Sequence, residues 1–155
     1  MKKLSLILLS IVLLTTAVTA QTTEKSLENN KAFTGAKAIK KMYHVIFQLD
    51  NADEKIIGKA IRNINNALND PRLAGKIEIE LIAFGGGTDA YMKGSKYEED
   101  LKTLLQKGVI VSQCNNTLKE RKITRDQLYD FIATVPSGNG ELIIRQAEGW
   151  AVIKP

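Results

Sequence analysis

Short apolar runs rich in strand-forming residues alternate along this chain with segments in which apolar residues recur at helical spacing. The first run, Met42–Leu49, is almost continuously apolar, and the second, Ile77–Phe84, alternates before it becomes apolar as well. Runs of this kind are typical of strands buried on both faces. Between them, apolar residues of the segment 54–68 recur every three or four positions, which predicts an amphipathic helix.

The rest of the chain continues this alternation. Further strands are predicted at Val109–Gln113, Ala133–Val135 and Trp150–Ile153. Helical segments are predicted at 96–107, 115–118, 124–131 and 138–148. Strands that alternate with helices predict an α/β fold, a parallel sheet of about five strands covered on both faces. We expect one such domain over residues 41–155.

The N-terminal residues have a different pattern. Met1–Ala20 begins with Lys2 and Lys3, continues with an apolar run too short to cross a bilayer, and ends in small residues. This order predicts a signal peptide, and hence export across the inner membrane to the periplasm. Residues 21–40 are polar and without period, so we expect a flexible segment with one short helical turn around Ala36–Ile39.

The composition argues against a nucleic-acid partner. Hydrophobic residues make up 44% and charged residues 25% of the 155 residues, which is typical of a soluble globular domain. Aromatic residues reach only 6%, and the basic residues are interspersed with acidic ones. A nucleic-acid binder needs a basic stripe with stacking aromatics. The net charge of +5 also includes the two lysines of the predicted signal peptide.

The carboxyl ends of the predicted strands are where a site is expected. Loops at that edge of a parallel sheet lead into helix N-termini, whose free N–H groups attract anions. The candidate pocket residues at these ends are Asn51, Gly85, Gly86, Gly87, Asn115, Asn116, Thr117, Ser137 and Gly138.

Cys114 is the candidate catalytic residue, and it is the single cysteine of the chain. It stands at the end of the third predicted strand, where the N-terminus of the next helix favours the thiolate form. A thiolate is a nucleophile. The alternative is that Cys114 is a small buried hydrophobic residue, as most free cysteines are.

Other chemistries have weaker support. His44 is the single histidine, and it lies roughly 16 Å below the carboxyl edge of its strand, which argues against a Cys–His pair. Asp50, Asp53 and Glu54 lack a histidine or cysteine nearby, so no metal site is expected. Gly85–Gly87 lacks the lysine of a phosphate-binding loop and is interpreted as a flexible turn over the strand ends.

Two motifs resemble one family. The segment 108–118, Gly-Val-Ile-Val-Ser-Gln-Cys-Asn-Asn-Thr-Leu, is similar to the cysteine-bearing strand end of DsrE/DsrF-like proteins. The C-terminal segments 135–142 and 149–155 resemble the secreted members of that family. The resemblance implies a three-layer α/β/α sandwich with a mostly parallel sheet, association into dimers, trimers or hexamers, and a cysteine at Cys114 that carries sulfur as a persulfide.

The main hypothesis is therefore a periplasmic sulfur carrier or sulfurtransferase that exchanges sulfur with donor and acceptor proteins and needs no metal or organic cofactor. One alternative is a non-enzymatic, oligomeric binding or interaction protein that uses the same crevice. Another is a redox role, in which Cys114 forms an intermolecular disulfide.

Overall fold

The computed structural model describes residues 22–155, which separate into two units with the boundary after Lys37. The predicted signal peptide lies outside the described residues. Helix α1 covers residues 22–32, and its side chains are exposed. The helical turn expected around Ala36–Ile39 is wrong, because those residues are not helical. Glu24, Lys25 and Leu27 are good helix formers, and this propensity signal outweighs the missing apolar period.

The second unit contains a five-stranded sheet in the order β4-β3-β2-β1-β5, in which all neighbouring pairs are parallel. Its strands are β1 (Tyr43–Leu49), β2 (Ile77–Ala83), β3 (Ile110–Cys114), β4 (Ala133–Val135) and β5 (Ala151–Ile153). Each of the five predicted strands is present. The predicted α/β fold is therefore confirmed.

Four α-helices connect the strands: α2 (Glu54–Leu68), α3 (Glu98–Gln106), α4 (Asn115–Arg121) and α5 (Gly138–Ala147). Two 3₁₀ helices occupy Gly85–Tyr91 and Arg125–Gln127. The helix predicted over 124–131 is wrong beyond its first turn. The Arg125 guanidinium donates hydrogen bonds to the carbonyls of Tyr129, Asp130 and Ile132, which holds the following backbone in an irregular path.

The two faces of the sheet are covered differently. On the first, which we call the apolar face, alternate residues of β1, β2 and β3 pack against α2, α3 and Leu118 of α4. Fully buried side chains there include Leu49, Ile57, Ile64, Leu81, Leu101 and Leu104. Burial of each such side chain contributes about 1.5–3 kcal/mol. This face holds the main hydrophobic core.

The opposite face, which we call the α5 face, has a smaller apolar cluster. Ile46, Ile82 and Trp150 form its centre, and Leu142 of α5 packs on them. Helices on both faces give the three-layer arrangement. Among residues 22–155, no helix has the length and apolar content needed to cross a membrane.

Candidate functional site

Cys114 is the last residue of β3 and the N-cap of α4. Its side chain belongs to the α5 face, because it alternates with Gln113 on the strand and pairs in register with Val135 of β4. The residue is only 5% exposed. The strand end therefore places the sulfur between the start of α4 and the start of α5.

Hydrogen-bond donors surround the sulfur. The Thr117 N–H donates to Cys114 Sγ at an N–S distance of 3.5 Å. Burial raises the pKa of the Cys114 thiol, but the backbone N–H groups of Thr117, Gly138 and Asn116 and the Thr117 hydroxyl together hold this pKa below its ordinary value. The Thr117 hydroxyl oxygen in turn accepts from the Gly85 N–H at 3.1 Å. These hydrogen bonds stabilise the thiolate relative to that of an ordinary cysteine.

A cavity of about 230 Å³ borders the sulfur. Its lining residues are Phe84, Gly85, Cys114, Asn116, Thr117, Glu120, Ser137 and Asn139. A water molecule occupies about 30 Å³ in the liquid, so this cavity has room for a small group attached to the sulfur. Cys114 is buried, but a reactant can approach it from the cavity.

Gly138 allows α5 to begin against the cysteine. A Cβ at this position would lie 2.9 Å from Phe84 Cδ1 and 3.3 Å from Cys114 Cβ. Ser137 caps the same helix, since its hydroxyl accepts from the Gly140 N–H. The absence of a side chain at Gly138 is what brings its N–H close to the sulfur.

The three consecutive glycines are tightly packed. A Cβ at Gly87 would lie 2.0 Å from the Leu49 carbonyl oxygen, and one at Gly86 would lie 2.7 Å from the Ala52 nitrogen. Gly85 has a φ of 53°, which favours glycine. The prediction of a flexible turn is therefore wrong, because this segment is a 3₁₀ helix packed against the end of β1.

Arg121 fastens this 3₁₀ helix to α4. Its guanidinium donates to the Gly85 carbonyl oxygen at 2.8 Å and pairs with Asp89 at 2.6 Å. The positive charge of Arg121 is therefore engaged outside the lining of the cavity. Glu120, the preceding residue, lines the cavity instead.

Some of the predicted pocket residues meet at Cys114 and others do not. Those that line the cavity or contact the cysteine are Gly85, Asn116, Thr117, Ser137 and Gly138. Asn51, Gly86, Gly87 and Asn115 are not among the lining residues. Asn51 instead accepts a hydrogen bond from the Asp53 N–H before α2. Whether the lining residues bind a ligand stays a prediction.

Sequence reasoning missed Phe84 and Glu120 as lining residues, whereas Asn139 lies in the predicted strand-end stretch 136–141 but was not among the candidate residues. A signal for Glu120 was available, because residues four apart share one face of a helix and Asn116 was already a candidate. For Phe84 the signal was its position as the last residue of the second predicted strand, at the same edge of the sheet as Cys114.

His44 lies at the other end of the sheet. Its Nε2 is 3.4 Å from Glu78 Oε2, and its ring centroid is 5.2 Å from that of Trp150. The strand register pairs His44 with Glu78, whereas Cys114 lies one residue beyond the pairing of Gln113 with Ala83. At about 3.3 Å per residue, this separation excludes a Cys–His pair within one chain. Within residues 22–155, no three His, Cys, Asp or Glu residues cluster as metal ligands would.

Solved structures with the same fold extend over this whole domain. A protein of unknown function, MTH1491, from Methanobacterium thermoautotrophicum is 34% identical, with a TM-score of 0.69 over 73% of this chain and 99% of its own. The conserved protein BT1422 from Bacteroides thetaiotaomicron is 12% identical, with a TM-score of 0.59 over 78% of this chain and 100% of its own. The ychN protein from E. coli is 16% identical, with a TM-score of 0.58 over 74% of this chain and 99% of its own.

None of the curated proteins compared with the chain matches it significantly. The family model does match. It covers residues 40–155, which include every strand of the sheet and the cysteine at the end of β3. The likeness expected from the two sequence motifs is thereby confirmed, and the chain belongs to the DsrE/DsrF-like family.

Proposed function

We propose that this protein is a sulfur carrier in which Cys114 accepts sulfane sulfur as a persulfide and passes it to an acceptor. The observation that carries this proposal is the position of the sulfur at the wall of a cavity, where N–H groups from the starts of α4 and α5 favour its anionic form. Family membership supports a role in sulfur relay.

The transfer needs one nucleophile and no cofactor. The Cys114 thiolate attacks the outer sulfur of a persulfide R–S–SH, so that a new S–S bond forms at Cys114 and the S–S bond of the donor breaks. The electron pair of the broken bond leaves with R–S⁻. The products are the Cys114 persulfide and the donor thiolate, and an acceptor thiolate then takes the outer sulfur by the same exchange.

Intact-mass spectrometry tests the proposal. The reduced protein is incubated with sodium polysulfide, freed of excess reagent and weighed before and after treatment with dithiothreitol. We expect the mass of one sulfur atom to be added and then lost on reduction, and we expect no addition to Cys114→Ser. If the wild-type protein gains no sulfur, or if Cys114→Ser gains as much, the carrier function is wrong.

We further propose that residues 1–20 are a signal peptide and that the mature protein is periplasmic. The basic, apolar and small-residue order of that segment supports this. After expression of the full chain in a Gram-negative host, we expect the protein in the periplasmic fraction with Gln21 as its first residue. An uncleaved chain in the cytosol would contradict the proposal.

A homo-oligomer is also proposed. Ile143 and Ile144 of α5 are 69% and 55% exposed, and Val152 and Ile153 of β5 are about 40% exposed. Large apolar side chains that remain exposed on a folded domain are often covered in an assembly. We expect sedimentation velocity to give a dimer or larger species, and Ile143→Glu to shift it toward the monomer. A monomer at all concentrations would refute association.

These isoleucines also support the second candidate function, an oligomeric binding protein without sulfur chemistry. Its signature is a stable oligomer that gains no sulfur from polysulfide and whose thiol resists alkylation at mildly acidic pH. The mass and alkylation measurements together therefore separate the two functions.

A further inference from the structure

The charges around Cys114 are arranged unevenly. Among the residues that line the cavity, Glu120 is the one acidic side chain, and no Lys or Arg lines the cavity with it. The neighbouring Arg121 is engaged by Asp89 and the Gly85 carbonyl. A small anion that enters the cavity therefore meets the Glu120 carboxylate and the Cys114 thiolate, with only backbone and side-chain dipoles to attract it.

A second depression of about 560 Å³ adjoins this cavity, and the two share Asn116 in their linings. We call it the lysine groove. Besides Asn116, it is lined by Asn115, Leu118, Lys119, Lys122, Ile123 and Pro136, among others. Neither Lys119 nor Lys122 has an ion-pair or hydrogen-bond partner for its side-chain ammonium among residues 22–155.

Helix α4 separates the two signs of charge. Asn116 and Glu120, four residues apart on α4, contribute to the cavity, whereas Lys119 on α4 and Lys122, the residue that follows the helix, contribute to the lysine groove. The lysine groove thus combines apolar lining residues with two lysine ammonium groups that have no partner among the described residues. This combination fits a peptide with acidic and apolar side chains better than it fits a free inorganic ion.

From this we infer that the sulfur donor is a cysteine persulfide in an acidic segment of a partner protein, which docks in the lysine groove and inserts its persulfide beside Cys114. This inference rests on the proposed carrier function and names its donor class. The carboxylates of the segment pair with Lys119 and Lys122 in the lysine groove. Only the persulfide group enters the cavity, so no carboxylate of the donor approaches Glu120.

The reaction in the docked complex is the exchange already written, in which R is the cysteinyl side chain of the donor segment. Its S–S bond breaks, the outer sulfur joins Cys114 Sγ, and the donor cysteine leaves as a thiolate. Thiosulfate would deliver the same sulfur and release sulfite, but it would bring two negative charges toward Glu120.

The test compares synthetic donors of equal length with the full-length mature protein. The acidic donor is the persulfide of acetyl-Glu-Glu-Cys-Glu-Glu-amide, the neutral donor has glutamine at the four glutamate positions, and thiosulfate is the free anion. The rate of sulfur addition to Cys114 is followed by quenched intact-mass spectrometry at low and high ionic strength.

We expect the acidic peptide to react about three- to ten-fold faster than the neutral peptide at low salt, as two exposed ion pairs would give. High salt should reduce this preference. The double variant Lys119→Gln/Lys122→Gln should lose the preference and keep the rate of the neutral peptide. The control Lys55→Gln/Lys59→Gln, on the exposed surface of α2, should behave as the wild type. Glu120→Gln should accelerate the reaction with thiosulfate more than the reaction with either peptide.

The outcomes separate the two proposals. If no donor adds sulfur to Cys114, the carrier function fails. If sulfur is added but the acidic and neutral peptides react equally, or the groove variant keeps the preference, the carrier function stands and the acidic donor is wrong. Thiosulfate as the fastest donor would also overturn the inference. Thermal unfolding of each variant confirms that it is folded.

Discussion

The two faces of the sheet differ in what they bury. The apolar face covers its strands with α2 and α3 and holds the larger apolar cluster, within which the buried Gln113 donates a hydrogen bond to the buried Thr88 hydroxyl. The α5 face has a small apolar cluster, and the same face carries Glu80, Ser112 and Cys114 on neighbouring strands. The comparison shows that one layer of this fold holds most of the apolar core, while the other accommodates a buried carboxylate and the cysteine.

Glu80 shows how the α5 face accommodates charge. Its carboxylate is 1% exposed, accepts a hydrogen bond from the Ser112 hydroxyl at 2.6 Å and pairs with Arg145 of α5 at 2.9 Å. The Arg145 guanidinium lies 4.2 Å from the centroid of the Trp150 ring. These contacts hold α5 on the sheet, and α5 begins at Gly138 beside the cysteine. The buried ion pair therefore positions one wall of the candidate site.

The largest expected difference between the faces is in the cost of cavities. Leu104→Ala, on the apolar face, should lower the free energy of unfolding by about 2–5 kcal/mol. Leu142→Ala, which removes a partly buried side chain of α5 from the smaller apolar cluster of the α5 face, should lower it by only about 1 kcal/mol. Urea unfolding measures both. Similar losses of unfolding free energy in the two variants would contradict the conclusion that the apolar face holds most of the core.

Removal of one ion-pair partner should give the next largest effect. Arg145→Met leaves Glu80 buried without its cation, and we expect a loss of about 2–3 kcal/mol at neutral pH, less than for a fully buried pair because Arg145 is partly exposed. The double variant Glu80→Gln/Arg145→Met should recover part of this loss. If Arg145→Met unfolds at the wild-type urea concentration, the pair does not hold α5.

A smaller effect should appear as pH dependence. Burial raises the pKa of the Glu80 carboxyl above its ordinary value, although Ser112 and Arg145 oppose the shift. Because the folded state binds this proton more tightly, its stabilising effect is complete below the ordinary pKa of glutamate and is lost as pH rises through the raised one. Glu80→Gln should lack that decline in a series of urea titrations, and an unchanged pH profile would contradict the assignment.

The smallest change concerns the wall of the site. Gly138→Ala must displace Phe84 or α5, so its N–H should move from the sulfur and the pKa of the Cys114 thiol should rise. We expect alkylation by iodoacetamide at mildly acidic pH to slow by about five-fold, the effect of one lost hydrogen bond. Gly58→Ala is the matched control, since a Cβ there meets nothing within 4 Å. Equal rates in both variants would refute the role of Gly138.

The sequence predicted the fold well because the strands and the longer helices follow from local patterns. The runs at Met42–Leu49 and Ile77–Phe84 differ from β1 and β2 by only one residue at an end. The position of Cys114 also follows from the local pattern. The residues before it, 109–113, have the pattern of a strand, and the residues after it, 115–118, begin with asparagines that favour the start of a helix.

The rest of the site depends on contacts between distant residues. Glu80 meets Arg145 across 65 positions of sequence, and neither position is unusual by itself. Asn51 and Gly87 were grouped with the cysteine because all lie near strand ends. Instead, Gly87 packs on the Leu49 carbonyl and leaves Gly85 as the one glycine of the three that lines the cavity. Which of the three glycines lines the cavity depends on the path of the 3₁₀ helix over the end of β1, and that path cannot be predicted from the local sequence.

The sheet is bordered by its two shortest strands, β4 and β5, each of three residues. Such brief borders offer few free N–H and C=O groups to a strand from another molecule. Stacking of chains into one continuous sheet is therefore disfavoured. We therefore expect copies of this domain to associate through side-chain contacts rather than by extending the sheet.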